Sequence, residues 1–272
     1  MEKDTVVVIT GCSSGIGLES AKYLKERFIK VYPTARDEAD VKRLKSIGFE
    51  NAMKLDVRSD EDIDRVIKEV LKTEGKIDVW FNNAGYGQMG AIEDITPEIL
   101  KEQYETNVIG LHRCTYKIIP IMRRQGYGKI IQHSSVLGII SLPLRGAYNS
   151  SKYAVEGLTD TLRLELDGTN IYPILLNTGP VTSKFRENAI KTLDRLNITT
   201  SKWRLQYNRA KRGESKRVPF NLPATSVASI VHKIVLSPKP KPRYYITKAT
   251  YILGFLKRVL STKMLDRVLK RV

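Results

Sequence analysis

The hydrophobic positions of the chain form two kinds of segment that alternate along its first two thirds. Short runs rich in β-branched residues, such as residues 5–10 (TVVVIT), alternate with longer stretches in which apolar residues recur every three or four positions. The runs are typical of strands buried on both faces, and the longer stretches are typical of amphipathic helices. The predicted strands are residues 5–10, 29–34, 52–55, 77–82, 129–133, 171–176 and 243–247.

The helices predicted between these strands cover most of the remaining sequence up to residue 177. They are residues 16–28, 38–47, a segment that opens at Ser59, 99–125 with an interruption near Asn107, and 148–167. Strand and helix alternate without a linker-like change of composition, which indicates one domain. The pattern therefore predicts the α/β class, with a Rossmann-like, doubly wound parallel sheet that carries helices on both faces.

Two late segments depart from this alternation. Residues 181–219 are polar and irregularly helical in pattern, and a proline-rich stretch at 238–242 precedes the last predicted strand. Beyond that strand, residues 252–260 and 263–272 are predicted to form two short helices. We therefore divide the chain into a Rossmann-fold domain, residues 1–247, and a basic amphipathic helical extension, residues 248–272.

Composition adds a charge asymmetry to this picture. The 272 residues are 42% hydrophobic, enough for a large core, which excludes wholesale disorder. The net charge of +17 is concentrated in two segments: residues 239–272 hold ten basic residues and one acidic residue, and residues 202–217 hold seven and one. These segments predict either a patch that faces an anionic surface or substrate, or solvated helix faces. Nucleic-acid binding is not expected, because the rest of the chain is nearly neutral.

The number of cysteines and the hydropathy of the chain indicate where in the cell the protein is expected. Cys12 and Cys114 cannot build a disulfide framework, and no Cys/His cluster has the spacing of a metal site, so no metal is expected. The first residues do not resemble a signal peptide, and no apolar run approaches the roughly 20 residues that a membrane-spanning helix needs. The expected location is the cytoplasm, with peripheral contact to a membrane left open.

The first predicted strand runs into a glycine-rich loop, Thr10-Gly11-Cys12-Ser13-Ser14-Gly15-Ile16-Gly17. Glycines at such a place allow a tight turn and a close approach of the backbone to a pyrophosphate, which then lies at a helix N-terminus. Arg36 follows the end of the second strand, where an arginine suits the 2′-phosphate of NADP(H). The residues therefore favour NADP(H) over NAD(H); the alternative for Arg36 is an ordinary surface charge.

Tyr148 and Lys152 lie four residues apart, which places a phenol and an ammonium on one helix face. A nearby ammonium lowers the pKa of a phenol, which makes the tyrosine a usable acid or base; the alternative is a surface pair on a helix. Ser135 lies thirteen residues upstream of Tyr148, just after the fifth strand. The ends of parallel strands are where ligand contacts are expected.

The ordered set of these motifs resembles the single-domain short-chain dehydrogenase/reductase family. The resemblance covers about residues 4–247, and residues 146–153 and the tail are further similar to bacterial NADP-dependent aldehyde reductases of the family. The order Gly179-Pro180 occurs in steroid and retinol dehydrogenase-like members. The residues that match are Thr10, Gly11, Gly15, Ile16, Gly17, Asp56, Val57, Asn82, Asn83, Ala84, Gly85, Asn107, Ser135, Tyr148 and Lys152.

The resemblance implies a role for each matching residue. Tyr148 would be the general acid or base, Lys152 would hold the nicotinamide ribose and lower the pKa of Tyr148, and Ser135 would bind the substrate oxygen. Asn107 would support a proton relay through water. The residues implied to contact the cofactor are Gly11, Ser13, Ser14, Gly15, Ile16, Gly17, Arg36, Asp56, Val57, Asn83, Ala84, Gly85, Tyr148, Lys152, Pro180, Val181 and Thr182.

The resemblance also implies that residues 181–219 form a lid over the substrate. Leu137 is expected to contact the substrate together with Ser135 and Tyr148. Cations on the lid, Lys211 and Arg212 among them, suggest a substrate with an anionic group. The apolar residues near the site predict either a pocket for an apolar substrate or ordinary core packing; they are Leu137, Ile139, Ile140, Leu142, Leu144, Phe185, Leu193, Trp203, Leu205 and Tyr207.

The function these features favour is hydride transfer between NADP(H) and an apolar aldehyde, ketone or alcohol, as in a carbonyl or aldehyde reductase. The alternatives are a non-catalytic dinucleotide sensor or scaffold, and a membrane-surface adaptor that uses the basic tail.

The resemblance suggests a homodimer through helices 104–125 and 148–167. In the last helix, Met264, Leu265, Val268, Leu269 and Val272 share one side. This predicts either contact with an anionic membrane or packing on the protein's own body or on a partner subunit.

Overall fold

A seven-stranded parallel sheet lies at the centre of the computed structural model, which describes residues 4–214 and 220–270. Every pairing in this sheet is parallel, and two further short strands, β7 and β8, form a parallel pair of their own. The strands are β1 (Val6–Ile9), β2 (Lys30–Ala35), β3 (Met53–Lys54), β4 (Val79–Asn82), β5 (Gly128–Ser135), β6 (Ile171–Thr178), β7 (Val181–Thr182), β8 (Leu222–Pro223) and β9 (Arg243–Tyr245).

Helices cover both faces of the sheet. They are α1 (Gly15–Lys25), α2 (Glu38–Ser46), α3 (Asp60–Glu74), α4 (Pro97–Tyr104), α5 (Leu111–Gln125), α6 (Gly146–Glu165), α7 (Phe185–Lys191), α8 (Arg204–Lys211), α9 (Ala224–Leu236), α10 (Lys248–Val259) and α11 (Thr262–Leu269). A π-helical turn, Glu105–Gly110, joins α4 to α5 and produces the interruption predicted near Asn107.

Strand β1 shows why the apolar runs do not alternate apolar with polar residues. Val7 and Ile9 belong to the core on the face of α1, α2 and α9, whereas Val6 and Val8 belong to the core on the face of α3 and α5. All four side chains are fully buried. A strand covered on both faces has no solvent side, so no polar residue is needed at alternate positions. The Rossmann-like single-domain fold predicted from this pattern is confirmed.

The order of the main sheet is β3-β2-β1-β4-β5-β6-β9. The chain winds outwards from β1 in one direction and from β4 in the other, so the order reverses between these two neighbours. In open α/β sheets such a reversal opens a crevice beyond the carboxyl ends of the strands, where ligands bind. The glycine-rich loop after β1 and Asn83 after β4 both lie at this crevice.

The segment from β7 to β8 builds a small core of its own. Leu193 and Tyr207 are fully buried and pack with Met89 and Ile99, and Leu144 contacts the same cluster. Leu205 is 67% exposed. Most of the apolar residues predicted here as candidates for a substrate pocket therefore stabilise the segment itself. Residues 215–219 of the predicted lid lie outside the described residues.

The last two helices start earlier than predicted. Thr247 caps α10, because its Oγ1 accepts a hydrogen bond from the backbone N–H of Thr250. In α11, Leu265 and Leu269 are buried against Val136 and Ile140, which follow β5. Part of the apolar side predicted for the last helix thus packs on the domain, whereas Met264 is exposed and Val272 lies outside the described residues.

This packing also revises the expectation for the loop after β5. Leu137, Ile139 and Leu142 are half-buried and contact the cluster formed with the tail. Leu142 also lines a cavity of about 1190 Å³ beside α6, together with Leu144 and Trp203. None of the helices within residues 4–214 and 220–270 is both long enough and apolar enough to cross a membrane.

Candidate active site

The loop between β1 and α1 makes the closest backbone approach at the crevice. Gly11 has a φ of +71°, and a Cβ atom there would lie 2.8 Å from the Cα of Ala84. A Cβ on Gly17 would lie 2.5 Å from the Nδ2 of Asn83 and from the carbonyl oxygen of Gly11. Glycine is therefore required at both positions, because any side chain would push the loop away from the strand beside it.

Residues after β4 lock this loop in place. Thr10 Oγ1 accepts hydrogen bonds of 3.0 Å from the backbone N–H groups of Asn83 and Ala84. The side-chain amide of Asn83 donates to the carbonyl oxygens of Thr10, at 2.9 Å, and Gly11, at 3.0 Å. The two sides of the crevice are thus held together by a polar network within the chain itself.

The N-terminus of α1 points into this crevice with unsatisfied donors. Ser14 precedes the helix and gives it no side-chain cap, and no acidic residue lies in the first turn. Exposed N–H groups at a helix N-terminus suit a phosphate. Ser13 lies at the same turn, where its carbonyl oxygen accepts a hydrogen bond from Arg43 on α2.

Guanidinium groups surround the other end of the crevice. The side chain of Arg36 is 63% exposed and makes only a 3.4 Å ion pair with its neighbour Asp37. Arg58, which sequence reasoning missed, forms a 2.6 Å ion pair with Asp56 and holds the pKa of that carboxyl below its usual range. Val57 is buried, and its carbonyl accepts from Arg113. Arg58 could have been found as the charged residue two positions after Asp56 and four positions after the short third strand.

These residues fit a nicotinamide dinucleotide. The glycine turn leaves no room for side chains, the uncapped helix supplies donors for a pyrophosphate, and Arg36 supplies a positive charge at the end of β2. No group of three or more His, Cys, Asp or Glu side chains in the described parts of the chain converges as a metal site would require.

Ser135, Tyr148 and Lys152 meet at the carboxyl end of β5. Ser135 ends that strand and is buried, and its hydroxyl lies close enough to the phenol of Tyr148 to lower the pKa of that group. Lys152 donates a 2.6 Å hydrogen bond to the carbonyl oxygen of His133, and its Nζ lies 5.6 Å from the ring centre of Tyr148. Both Tyr148 and Lys152 are buried residues of α6. The predicted spacing therefore brings the phenol and the ammonium to the same place.

The pKa of Tyr148 departs from the sequence-based expectation. Burial raises it to about 12, and the hydrogen bond from Ser135 and the positive charge of Arg145 act in the opposite direction. The pKa of Tyr148 is therefore raised overall and not lowered, because loss of solvation outweighs the effects of Ser135 and Arg145. The lowering effect implied for Lys152 stays a prediction. Burial also lowers the pKa of Lys152 to about 8.

His133 lies between Lys152 and the crevice. Its Nδ1 is 3.1 Å from Asn83 Oδ1, and its Nε2 is 3.1 Å from Thr178 Oγ1. Burial, with a contribution from the charge of Lys152, lowers the pKa of His133 to about 3, so the ring is neutral. The imidazole thus connects the residues after β4 with the end of β6 and is not a candidate acid or base.

Asn107 lies in the π-helical turn and is buried. Its side chain accepts a 3.0 Å hydrogen bond from the N–H of Tyr86 and donates to the carbonyl oxygen of the same residue at 2.8 Å. A Cβ on Gly85 would lie 3.0 Å from the Oδ1 of Asn107. In this arrangement Asn107 holds the segment after β4 beside α6, where it also donates to Ser151 at 3.2 Å.

The segment after β6 closes over the site. Thr182 accepts a 2.6 Å hydrogen bond from Asn221, and the carbonyl of Pro180 accepts from the N–H of Leu222, which anchors Val181 between them. Further along, the ring of Phe185 lies 5.3 Å from the ring of Tyr148, centre to centre. Phe185 is thus a predicted lid residue that contacts the tyrosine.

Two features change the expected charge around the site. Lys211 forms an ion pair with Asp194 and Arg212 forms one with Glu214, each at 2.6 Å. These two residues therefore do not support the hypothesis of an anionic substrate. Arg145, which sequence reasoning missed, directly precedes α6 and forms no ion pair with a described carboxylate. It lies three residues before Tyr148. Side chains three residues apart are neighbours on the surface of a helix.

Known proteins with similar sequences cover most of the chain. A family model described as short chain dehydrogenase matches residues 5–194. The uncharacterized oxidoreductase YbbO of Escherichia coli K12 is 37% identical over 265 residues, covering 97% of this chain and 93% of YbbO. Human 17-beta-hydroxysteroid dehydrogenase type 1 is 33% identical over 259 residues, covering 90% and 78%. A 3-ketodihydrosphingosine reductase of Bacteroides thetaiotaomicron is 34% identical over 183 residues, covering 67% and 66%.

Solved structures share the same architecture. A short-chain dehydrogenase/reductase from Burkholderia phymatum in complex with NAD has a TM-score of 0.76 at 27% identity, covering 93% of this chain and 92% of that one. A variant of actinorhodin polyketide ketoreductase with NADPH has a TM-score of 0.75 at 26% identity, covering 90% and 96%. The two structures differ in the dinucleotide they hold, so similarity alone does not choose between NAD and NADP.

Proposed function

Because the chain belongs to the short-chain dehydrogenase/reductase family of oxidoreductases, we propose that it reduces an apolar aldehyde or ketone with NADPH, in a reaction that also runs in reverse. The observation that supports this most directly is the meeting of Ser135, Tyr148 and Lys152 beside the glycine turn. A phenol, a hydroxyl and an ammonium in that arrangement supply the proton transfer and the orientation that carbonyl reduction needs.

In the proposed reaction Tyr148 donates a proton to the carbonyl oxygen during reduction and accepts it from the alcohol during oxidation. Ser135 donates a hydrogen bond to the same oxygen and keeps it within reach of the phenol. Phe185, packed on the ring of Tyr148, excludes water from this point. Lys152 holds a positive charge near the tyrosine, which favours the phenolate that forms when the proton leaves.

The cofactor supplies the hydride, and the chain supplies binding and orientation. The turn at Gly11, Gly15 and Gly17 with the N-terminus of α1 would hold the pyrophosphate, Asp56 the adenine, and Lys152 the nicotinamide ribose. The preference for NADP(H) is supported by Arg36, which is exposed at the end of β2 with a weak ion pair, and by Arg58 beside Asp56.

An apolar substrate is supported by a cavity of about 1190 Å³ beside α6, whose lining includes Leu142, Leu144 and Trp203, and by the names of two relatives. The names of two relatives specify a hydroxysteroid and 3-ketodihydrosphingosine, which are compounds with a large hydrocarbon part. A cytoplasmic location is part of the same proposal, since Cys12 and Cys114 are both buried and unpaired.

The test is oxidation of NADPH and of NADH by the purified protein with aldehydes and ketones of increasing hydrocarbon size. Tyr148→Phe is expected to lower kcat/KM roughly 100-fold or more and to leave cofactor binding intact. Tyr153→Phe, five residues further along α6, is the matched control and is expected to retain activity. Cofactor binding without turnover on any substrate would contradict the reductase and favour a dinucleotide sensor.

Arg36→Gln tests the cofactor preference separately. The variant is expected to lose roughly tenfold in affinity for NADPH relative to NADH, because a charge-assisted contact to the 2′-phosphate is removed. Arg124→Gln, at an exposed position near the end of α5, is the control. Faster turnover with NADH in the unaltered protein would show that the NADP(H) proposal is wrong while leaving the chemistry in place.

A further inference from the structure

The outward face of α10 carries a row of exposed apolar side chains. Tyr251 is 59% exposed, Phe255 64% and Val259 56%, and Ile252, beside them, is 47% exposed. Residues four apart lie one above the other on a helix, so the first three form a continuous stripe along α10. We call these four residues the α10 stripe. Contiguous apolar surface of this kind marks an interaction site more often than scattered single residues do.

The opposite face of α10 is already occupied. Leu253, Leu256 and Leu260 pack with Val136 and Ile140 in the cluster that the tail forms with the loop after β5. A Cβ on Gly254 would lie 3.4 Å from the ring of Tyr245, so the helix lies directly on β9 at this point. These contacts fix the rotation of α10 about its axis. The stripe therefore stays on the surface and cannot turn inwards to join the core.

Unpaired positive charge surrounds the stripe. Residues 239–272 contain one acidic residue, Asp266, against ten basic ones. None of the exposed cations on the two helices, or directly after the second, forms an ion pair with a carboxylate of the described residues; they are Lys248, Lys257, Arg258, Lys263, Arg267 and Lys270. Elsewhere the described basic residues are often paired, as Arg43, Arg65 and Lys117 are.

We propose that the α10 stripe and the cations around it dock the protein on an anionic lipid bilayer. The stripe would enter the boundary between headgroups and acyl chains, and the cations would contact the anionic headgroups. A second copy of the chain fits this face poorly, because stripe-to-stripe pairing about a two-fold axis brings like charges together. A nucleic acid would use the cations and leave the stripe in water.

The proposal assigns docking to a different helix from the one the sequence pattern indicates. In α11 the residues Leu265 and Leu269 are buried, so that helix supports the surface while α10 presents it. The docked face lies next to the loop that follows Ser135, since α10 contacts residues 136–138. Docking itself does not depend on the reaction proposed above, and its test needs no substrate.

The test is sedimentation of the full-length protein with vesicles made of equal parts phosphatidylcholine and phosphatidylglycerol. Binding is expected to fall with added salt and to be much weaker on phosphatidylcholine alone. The double substitutions Ile252→Ser/Phe255→Ser and Lys257→Glu/Arg258→Glu should each lower the ratio of bound to free protein roughly tenfold or more. Both change surface residues only, and unaltered circular dichroism would confirm that the fold is retained.

Matched controls show whether the α10 residues themselves are needed for vesicle binding, or whether any loss of apolar surface or positive charge has the same effect. Leu158→Ser/Leu164→Ser removes two exposed apolar side chains from α6, and Lys42→Glu/Lys45→Glu makes the same change of charge on α2. Both controls should bind vesicles as the unaltered protein does. Equal loss in controls and α10 variants, or no loss in either α10 variant, would overturn the proposal. Conversion of a dimer to a monomer by Ile252→Ser/Phe255→Ser, with vesicle binding unchanged, would instead identify an interface between copies.

Discussion

The pKa of Tyr148 depends on residues from several parts of the chain. The spacing of Tyr148 and Lys152 predicts a phenol whose pKa is lowered by an ammonium, and the two groups do lie together. Burial nevertheless raises the pKa of Tyr148 to about 12, and the cation that acts against this is Arg145. Desolvation depends on everything packed around the ring, including Phe185 from a distant part of the chain.

Arg145 gives a prediction at this scale. Removing its positive charge by Arg145→Gln takes away a contribution that favours the phenolate, so the pKa of Tyr148 should rise further. Alcohol oxidation requires the phenolate, and the acid limb of its pH profile should therefore move to higher pH. At pH 8 we expect kcat/KM for oxidation to fall roughly threefold to tenfold.

The conservative variant Arg145→Lys keeps the charge and serves as the control. Its pH profile for oxidation should remain close to that of the unaltered protein. A shift of equal size in both variants would show that Arg145 acts through packing before α6 and not through its charge. The measurement is kcat/KM for alcohol oxidation as a function of pH, with cofactor at saturation.

At the scale of elements, the carboxylate of Glu156 on α6 accepts hydrogen bonds from residues of three strands. Glu156 is buried and accepts hydrogen bonds from Ser134 at the end of β5, from Asn177 on β6 and from Arg243 on β9. It lies one turn after Lys152 on α6, and its charge supports the protonated form of that lysine. The network positions the helix of the proposed catalytic residues against the strand ends beneath it.

Breaking this network should destabilise the protein measurably. Arg243→Met leaves the Glu156 carboxylate buried without its cation, which we expect to lower the free energy of unfolding by about 2 kcal/mol. The expected loss is below that of a fully buried pair because 26% of the Arg243 side chain is exposed. Urea unfolding followed by circular dichroism measures the change.

Arg163 on the same helix provides the comparison. It pairs with Asp160 at 3.2 Å, with both side chains well exposed, so Arg163→Met should cost less than about 0.5 kcal/mol. Glu156→Gln combined with Arg243→Met should recover part of the loss, because the unpaired charge is gone. Equal destabilisation by Arg163→Met and Arg243→Met would argue against a special role for the network.

At the scale of the whole molecule, the tail is packed into the domain next to the site. Its leucines, among them Leu265 and Leu269, cover Val136 and Ile140 directly after Ser135. Leu137 and Ile139, predicted to lie near the substrate, thus form core with the tail, whereas Leu142 and Leu144 line the cavity beside α6. The same contacts that stabilise the loop leave the α10 stripe and its cations facing outwards.

Neighbouring residues of α11 test this packing. Leu265 is 5% exposed and Met264 is 49% exposed, although both belong to the apolar side predicted from the sequence. Leu265→Ala should lower the free energy of unfolding by about 2–3 kcal/mol, because it leaves a cavity in the cluster. Met264→Ala should change it by less than about 0.5 kcal/mol. Thermal or urea unfolding of the two variants compares them, and equal effects would show that the tail does not pack as a part of the domain.

The local pattern was sufficient to predict the sheet, the glycine turn and the interruption near Asn107. Each of these follows from short-range physics: apolar runs such as Val6–Ile9 form strands buried on both faces, and glycine allows the φ of +71° at Gly11. The family resemblance added the order of the motifs, and its fold and membership are confirmed. The roles implied for the individual site residues stay predictions.

Packing between distant segments determined the rest. Whether an apolar residue of the tail is core or surface depends on what lies against it, which is why Leu265 is buried while Phe255 is exposed. Whether a cation is available depends on its partners, which is why Lys211 is paired while Arg145 stands beside Tyr148 without a carboxylate. Burial and charge pairing are sums over contacts far apart in the chain, and a local pattern of residue types does not contain them.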